Sequence, residues 1–390
     1  MSSRTRLVVM AISAPVIAFA IVGGFLSKVV ARESDYPQLK IFGDVVDMIS
    51  SSYVEEVNMD KVMAGAMKGL ADNLDADSAY LTAPEVKQVE SGAALPAGDV
   101  GLELTRQYYL RVIAARDGSP AAKAGLRTGD YIRMIDDTAT REMSVWEGMR
   151  ALHGAPGTKV KLTVIRGNAA DPHIVELTRE AEPASDVSHR TAAPGVGLLR
   201  VAAIDASTAA QVKRHAQDLV KAGATKIVLD VRRTSTGTPA DGIAIARLFV
   251  ASGGTLAMRE GKAGARDTIV STTGSDAITT PLAILIDTGT SGAAEVLAAS
   301  LAGNKRGDLF GEHTIGRAAE QKLFKLPDGS GLWLSTVRYL TPAGGALHEK
   351  GLEPTVAVDE PDVTEFGAQP PAGDPVLDKA LEQLAGKKAA

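Results

Sequence analysis

Cysteine is absent from this 390-residue sequence. Disulfide bonds, thiolate nucleophiles and cysteine-ligated metal sites are therefore excluded. The absence does not identify the compartment, because an exported protein can also lack thiols. The sequence contains no long basic run, and its net charge is −5. Nucleic acid is therefore not expected as a partner.

Histidine is also scarce, with six residues in the whole chain. None of them is paired at the spacing of metal ligands, so no metal and no cofactor is predicted. Apolar residues make up 45% of the chain and charged residues 23%, which is ordinary for a globular protein. The length allows two or three domains.

The amino terminus carries one long apolar run, from Leu7 to Leu26, preceded by Arg4 and Arg6. Twenty helical residues span roughly 30 Å, the thickness of the hydrocarbon core of a bilayer. We therefore expect a single-pass inner-membrane protein, with the bulk of the chain in the periplasm or outside the cell. A signal peptide cleaved after Val29-Val30-Ala31 is the alternative.

The rest of the chain divides into four segments that differ in hydrophobic periodicity and composition. Residues 33–95 show helical periodicity, and residues 96–182 contain short alternating strands with two helices. Residues 183–360 alternate strand and helix, which indicates a largely parallel sheet covered by helices. Residues 361–390 are predicted to form a Pro- and Gly-rich linker and a final helix capped by Asp374.

Several motifs in this order resemble the carboxyl-terminal processing peptidases, a family of serine proteases with a PDZ domain. Residues 118–126 and 129–132 resemble a PDZ core, and residues 74–82 resemble the family's helical region. Residues 329–342 and 350–354 resemble its carboxyl-side strands. The resemblance implies a multidomain α/β fold: a helical amino-terminal region, a PDZ β-sandwich or barrel with two helices, and a peptidase-like core with a mainly parallel sheet.

The PDZ resemblance implies binding of protein or peptide carboxyl termini by strand addition, with backbone N–H groups holding the terminal carboxylate. The matching loop consists of Asp99, Val100, Gly101 and Leu102. Asp99 stands where the family usually has glycine. Its carboxylate either faces the groove and repels an incoming carboxylate, or points to solvent and leaves the groove working.

The family's nucleophile lies in a motif of the form Ser/Thr-x-Ser-Ala-x-Glu, which here reads Thr290 to Glu295 with Gly292 at the serine position. The family's general base is a lysine in Gly-Lys-x-x-x-Gln. Here Arg317 takes the lysine position, while the glutamine is retained as Gln321. The interval of 317 − 292 = 25 residues is the family's usual one.

Both replacements remove catalytic chemistry. Glycine has no side chain with which to form an acyl-enzyme, and arginine stays protonated and cannot act as a base. The oxyanion-loop residues are Thr236 and Gly237, and Thr236 stands where the family has a glycine. A β-branched residue there disfavours positive φ.

The resemblance therefore predicts a membrane-anchored pseudoprotease that binds peptides. One alternative is a peptidase rescued by Ser291 with His313 as its base, and another is a structural partner subunit. Assembly with itself or with an active relative through the helical region is a further expectation. Arg317 is expected either to attract an anionic group into the cleft or to pair internally with Glu320, Glu295 or another acid.

Overall fold

The computed structural model describes residues 37–167, 171–181, 187–272, 277–359, 366 and 373–386. The chain divides into two compact units, one up to Met67 and one from Lys68 onward. The predicted domain boundaries at residues 32, 95, 182 and 360 remain predictions.

Across the described residues, no helix combines the length and the apolar character needed to cross a bilayer. The longest of these helices has 16 residues, about 24 Å, which is short of the hydrocarbon thickness. This finding contradicts the predicted single-pass inner-membrane location. The stretch from Leu7 to Leu26, on which that prediction rested, lies outside the described residues.

The amino-terminal region is helical, as predicted. Helix α1 spans Pro37–Ser52 and helix α2 spans Met59–Asp72. Strand β1 (Ala79–Leu81) and helix α3 (Ala83–Ser91) follow. The N–H of Thr82 donates to Glu85 Oε2 at 2.7 Å, which fixes the start of α3 through a capping interaction.

The next module consists of short strands and two short helices. The strands are β2 (Gly98–Asp99), β3 (Leu102–Gln107), β4 (Tyr109–Ala115), β5 (Tyr131–Ile135), β6 (Thr138–Ala139), β7 (Lys159–Ile165), β8 (His173–Thr178) and β9 (Glu180–Ala181). Strands β3, β4, β5, β7 and β8 form one antiparallel sheet in that order, β6 pairs with β5, and β2 pairs with β9.

The helices of this module begin at serine caps. Ser119 precedes α4 (Pro120–Lys123) and Ser144 precedes α5 (Val145–Leu152), and each hydroxyl accepts a backbone N–H from its helix. The apolar faces of the sheet and of α5 enclose a core that includes Leu104, Leu110 and Leu162.

The carboxyl-terminal half contains a six-stranded sheet in the order β10, β11, β12, β15, β16 and β19. Its strands are β10 (Val187–Ala193), β11 (Val196–Val201), β12 (Lys226–Asp230), β15 (Leu282–Ile286), β16 (Gly307–Gly311) and β19 (Val356–Ala357). From β11 to β19 neighbouring strands run parallel, and β10 is antiparallel at the edge. This sheet matches the mainly parallel prediction.

Helices cover both faces of that sheet, because its strands are apolar on both sides. Helices α6 (Thr208–Lys221), α7 (Pro239–Ala246) and α8 (Ala293–Gly303) pack with residues such as Leu229 and Ile284. Helix α9 (Pro375–Gly386) packs with the intervening residues, such as Val228 and Leu285.

A second sheet in this half differs from the prediction. Strands β1, β18 (Gly331–Leu340), β13 (Thr255–Gly261) and β14 (Arg266–Val270) form it in that order, and β17 (Ala319–Lys325) pairs with β18. Every pairing in it is antiparallel. The core is therefore mixed, because the carboxyl-side strands return as hairpins rather than through helical crossovers.

The final helix is fixed at its first turn by Asp374, as predicted. Asp374 Oδ1 accepts the N–H of Leu377 at 2.9 Å, and the Arg232 guanidinium donates to both oxygens of Asp374 at 2.9 and 2.7 Å. Arg232 also pairs with Asp230 at the end of β12, so this network ties α9 to the parallel sheet.

Candidate functional site

A cavity of about 440 Å³ lies where α8, α7 and β17 all begin. Residues from four separate stretches of the chain line this cavity. Its lining consists of Asp77, Ser235, Gly237, Thr238, Pro239, Ala240, Ser291, Gly292, Arg317, Ala319, Glu320 and Gln321. The fold therefore brings together the residues that the two sequence motifs placed 25 positions apart.

Gly292 is the N-cap residue of α8 and has φ 58° and ψ −113°. Residues other than glycine rarely adopt this backbone conformation. A Cβ at this position would lie 3.6 Å from the carbonyl oxygen of Arg317, which is an ordinary contact distance. A side chain at position 292 would thus have space in the cavity but a strained backbone.

The Glu295 carboxylate shapes the backbone around Gly292. It is fully buried and accepts four hydrogen bonds, two at each oxygen. The backbone N–H groups of Gly292, Gly316 and Arg317 donate at 3.0, 2.6 and 2.8 Å, and the Thr314 hydroxyl donates at 2.5 Å. Burial raises the pKa of Glu295, and these four donors oppose the shift. One buried side chain therefore joins the start of α8 to the loop that carries Arg317.

Arg317 pairs internally. Its Nε donates to Asp77 Oδ1 and Oδ2 at 3.0 and 3.2 Å, and its Nη2 donates to Asp77 Oδ1. Its Nη1 donates to the carbonyl oxygen of Leu104 in β3 at 2.8 Å. The partner is thus another acid rather than Glu320 or Glu295, and the guanidinium is already neutralised.

Asp77 is held in place by its neighbour Asp75. Asp75 Oδ1 accepts the backbone N–H groups of Asp77 and Ser78 at 2.9 and 2.7 Å, and the Ser78 hydroxyl donates to Asp75 Oδ2 at 3.0 Å. Such a carboxylate turn fixes the local backbone. The Asp77 side chain is consequently directed at Arg317.

The charged side chains in and near the cleft shift one another's pKa values. Burial by itself would lower the pKa of Arg317, but the Asp77 carboxylate outweighs it and holds that pKa above its usual value. Burial raises the pKa of Glu103, next to Leu104, from 4.5 to about 7. Arg317 opposes the Glu103 shift, while Asp99 and Asp77 add to it. Arg317 thus stays protonated at any physiological pH.

Glu320, the other acid in the cavity lining, has different partners. Arg259 Nη2 donates to Glu320 Oε2 at 2.7 Å, and the Tyr339 hydroxyl donates to Glu320 Oε1. Gln321 Nε2 donates to the Ser335 hydroxyl at 3.2 Å. Neither side chain contacts Arg317 through a hydrogen bond in the described part of the chain.

Ser291 and His313, the proposed rescue pair, are not brought together as a dyad. Ser291 is buried, and its backbone N–H donates to the carbonyl oxygen of Thr234 at 3.0 Å. His313 is 48% exposed and faces Glu353 at 3.6 Å. Within the described residues, the Ser291 hydroxyl has no hydrogen-bond partner that could serve as a base.

The loop before α7 has positive φ at two positions, Arg233 with 53° and Gly237 with 85°. A Cβ at Gly237 would lie 2.6 Å from the carbonyl oxygen of Ile204, so only glycine fits. Thr236 keeps an ordinary φ, and its hydroxyl both accepts the N–H of Ile204 and donates to its carbonyl oxygen. Thr236 is therefore compatible with this turn, contrary to the expected conflict.

The predicted carboxylate-binding loop of residues 99–102 is buried throughout. Asp99 is 6% exposed, and its Oδ2 accepts the N–H of Gly101 at 2.9 Å. Arg116 Nη1 lies 3.8 Å from the same oxygen. The Asp99 carboxylate thus folds back onto its own loop instead of extending into solvent.

One pair of histidines was not foreseen. His189 in β10 and His215 in α6 place their Nδ1 atoms 2.6 Å apart. Burial and the neighbouring His189 lower the pKa of His215. In the described ranges, however, no group of three or more metal-ligating side chains is placed to hold an ion.

Comparison with known proteins agrees with this architecture. Residues 195–358 match the model of peptidase family S41, and residues 111–166 match a PDZ domain model. A carboxyl-terminal-processing protease of Synechocystis is 32% identical over 294 residues, covering 74% of this chain and 68% of that protein. The chain belongs to the carboxyl-terminal processing protease family.

Two further comparisons extend the match. The carboxy-terminal processing protease CtpA of Bacillus subtilis is 27% identical over 81% of this chain and 68% of its own length. A solved structure of a photosystem II D1 C-terminal processing protease superposes with a TM-score of 0.68 at 29% identity. That superposition covers 80% of this chain and 85% of the solved one.

The sequence did not predict three groups that lie at or near the site of this carboxyl-terminal processing protease homologue. They are Asp77 as the partner of Arg317, the Leu104 carbonyl, and Glu103 with its raised pKa. The sequence does contain an indication of Asp77, because two acidic residues in the short turn of residues 75–78 could have suggested a partner for a buried cation. The contacts of Glu103 and Leu104 depend on tertiary packing and leave no local pattern.

Proposed function

We propose that this chain is a noncatalytic, peptide-binding member of the carboxyl-terminal processing protease family. The observation that carries the proposal is the pairing across the cleft. Gly292 and Arg317 stand at the positions that the resemblance assigns to nucleophile and base, and Arg317 forms a bidentate pair with Asp77.

The chemistry of a serine peptidase requires a hydroxyl that can attack a carbonyl and a group that accepts its proton. Gly292 supplies no hydroxyl. A base at position 317 would have to be neutral, but the adjacent Asp77 carboxylate favours a charged partner there. Ser291, which directly precedes Gly292, has no base beside it in the described residues. These points support loss of proteolysis.

Binding can persist without that chemistry. The cavity has a volume of about 440 Å³, and Ser235, Thr238 and Ser291 are among the residues that line it. This volume is within the usual range for ligand sites. A PDZ domain is a peptide-binding module that works by strand addition. The cleft and the PDZ domain together support a role in holding polypeptide rather than cutting it.

Self-association through α1 is the form of assembly that we propose with this function. The apolar side chains of α1 are exposed, and they include Leu39, Ile41, Val45 and Met48. Contiguous exposed apolar residues often mark protein–protein contacts. Sedimentation of the full chain should show a dimer or larger species, and the variant I41E/V45E should be monomeric. A wild-type monomer at micromolar concentration would exclude this assembly.

Labelling with a fluorophosphonate tests the absence of a reactive serine. We expect no covalent adduct by mass spectrometry and no cleavage of denatured casein by the purified chain. The variant S291A serves as the control for the rescue alternative. An adduct that forms on wild type and disappears in S291A would contradict the proposed function.

Restoring the missing groups tests the role of Asp77. We expect the double variant G292S/R317K to remain unreactive, because Asp77 would keep the new lysine protonated. Adding D77N should lower the pKa of that lysine and allow fluorophosphonate labelling at position 292. Labelling of the double variant to the same extent would show that Asp77 does not control the base.

A further inference from the structure

The predicted carboxylate-binding loop of residues 99–102 contains a carboxylate of its own, that of Asp99. Asp99 Oδ2 accepts the N–H of Gly101 at 2.9 Å, and the Arg116 guanidinium lies 3.8 Å from the same oxygen. A backbone N–H and a nearby cation are the groups that would hold the terminal carboxylate of a bound peptide. Both already have an anionic neighbour.

The backbone around Asp99 is fixed, which keeps the side chain in this position. Gly98 and Asp99 pair with Ala181 and Glu180 in the β2–β9 ribbon, and Gly98 exchanges two backbone hydrogen bonds with Gly154. A Cβ at Gly98 would lie 2.6 Å from the carbonyl oxygen of Gly154, so the approach is close. The Asp99 side chain therefore enters the loop from an anchored strand rather than from a mobile end.

The hydrogen-bonding capacity of the Asp99 carboxylate is only partly used. Its Oδ1 is buried and has no hydrogen-bond partner among the described residues. A buried carboxylate oxygen without a donor is unfavourable, and native structures contain few of them. Such a group calls for a functional explanation, because a glycine or alanine at this position would avoid the cost altogether.

We infer, on the basis of the proposed peptide-binding function, that Asp99 is an internal competitor for the terminal carboxylate and determines the specificity of the PDZ domain. The domain accordingly binds polypeptide segments without preference for a free carboxyl terminus. Its ligands are internal extended segments, or tails whose recognition does not depend on their last carboxylate.

Binding of matched peptide pairs tests this specificity. Twenty fluorescein-labelled decapeptides that differ in the last residue are prepared, each as the free acid and as the carboxyl-terminal amide. Fluorescence anisotropy with the full chain gives the ratio of the two affinities. We expect a ratio near one for the wild type, and a preference of at least ten-fold for free acids in D99A, because the Gly101 N–H becomes available.

Two further variants separate specificity from net charge and from folding. D99N keeps an oxygen that can accept the Gly101 N–H, so its ratio should stay within about three-fold of the wild type. D137A removes an acid that is 96% exposed in the same module and should leave the ratio unchanged. If D99A fails to fold, D99G provides the same release of the N–H group.

The outcomes also distinguish this inference from the proposed function. A ten-fold preference of the wild type for free acids, or the absence of any such preference in both D99A and D99G, would overturn the role of Asp99 alone. Cleavage of any peptide by the wild type would instead overturn the noncatalytic assignment and leave the affinity ratios interpretable.

Discussion

The cleft and the predicted carboxylate-binding loop of residues 99–102 each contain a partly or fully buried charged residue, and the two residues differ in how completely they are hydrogen-bonded. The Arg317 guanidinium in the cleft donates hydrogen bonds to both oxygens of Asp77 and to the Leu104 carbonyl oxygen. One carboxylate oxygen of Asp99 accepts the N–H of Gly101, while the other has no hydrogen-bond partner in the described chain. The cleft charge is therefore well satisfied and the loop charge only in part.

This difference predicts which of the two charged residues contributes more to the stability of the fold. A buried charge with complete pairing is costly to disturb, since removal of one partner leaves the other uncompensated. A half-paired carboxylate contributes little net stability, because desolvation offsets its single hydrogen bond. We expect changes in the cleft to affect folding and changes in the loop to affect binding.

The largest effect should come from Glu295, which joins the two backbone segments of the cleft. Glu295→Ala leaves four donors without an acceptor, and we expect a loss of about 3–5 kcal/mol in the free energy of unfolding. Glu295→Gln should lose less, because one oxygen remains. Urea denaturation followed by circular dichroism gives both values. A loss below about 1 kcal/mol for the alanine variant would mean that the carboxylate does not organise the cleft.

Asp77→Ala should have the next largest effect. It leaves the partly buried Arg317 without its counter-ion, and we expect a loss of about 2–4 kcal/mol in the free energy of unfolding. The double variant D77A/R317M should recover most of that loss, because no unpaired charge remains. D137A is the matched exposed control. Equal losses for D77A and D137A would show that the cleft pair is not stabilising.

Glu103 lies between the two regions, near Arg317, Asp99, Asp77 and Arg116, and gives a pH-dependent test. Its pKa is raised in the folded state, so the folded protein holds this proton more tightly than the unfolded chain does. The contribution of Glu103 is therefore fully present below about pH 4 and is lost as the pH rises through about 7.

Glu103→Gln removes that dependence. We expect the variant to be more stable than the wild type by about 1–2 kcal/mol at pH 8 and equal to it near pH 4.5, allowing for partial solvent screening. Urea denaturation at the two pH values measures the difference. A variant that is less stable at pH 8 would mean that attraction to Arg317 dominates over burial.

The smallest change in stability should belong to Asp99→Ala. We expect its free energy of unfolding to lie within about 1 kcal/mol of the wild type, because one hydrogen bond is lost while a buried charge is removed. The same urea experiment measures it. A loss as large as that of D77A would remove the contrast between cleft and loop.

The sequence predicted much of this molecule, since its motifs are local. The position of Gly292, the 25-residue interval to Arg317 and the PDZ turn can be read from short stretches. The family and the coarse fold are confirmed by the relatives and by the two matching family models. The loss of activity, the site roles and the domain boundaries stay predictions.

Contacts between distant residues could not be predicted in the same way. Asp77 and Arg317 are separated by 240 positions, and their pairing depends on how β1 joins the second sheet. The direction of Asp99 depends on a side-chain torsion rather than on its position in the loop. The antiparallel second sheet was missed because strand pairing among short apolar runs is not encoded locally.

The backbone at Gly292 also bears on how this chain can change by mutation. With φ at 58° and ψ at −113°, every L-amino acid is disfavoured there by about 1–3 kcal/mol, whatever its side chain. A change of Gly292 to serine would thus destabilise the fold, and Arg317 and Asp77 would still leave the new hydroxyl without a neutral base. A single substitution at position 292 is therefore expected to lower stability without producing a reactive site, so that a working nucleophile would need changes at several positions together.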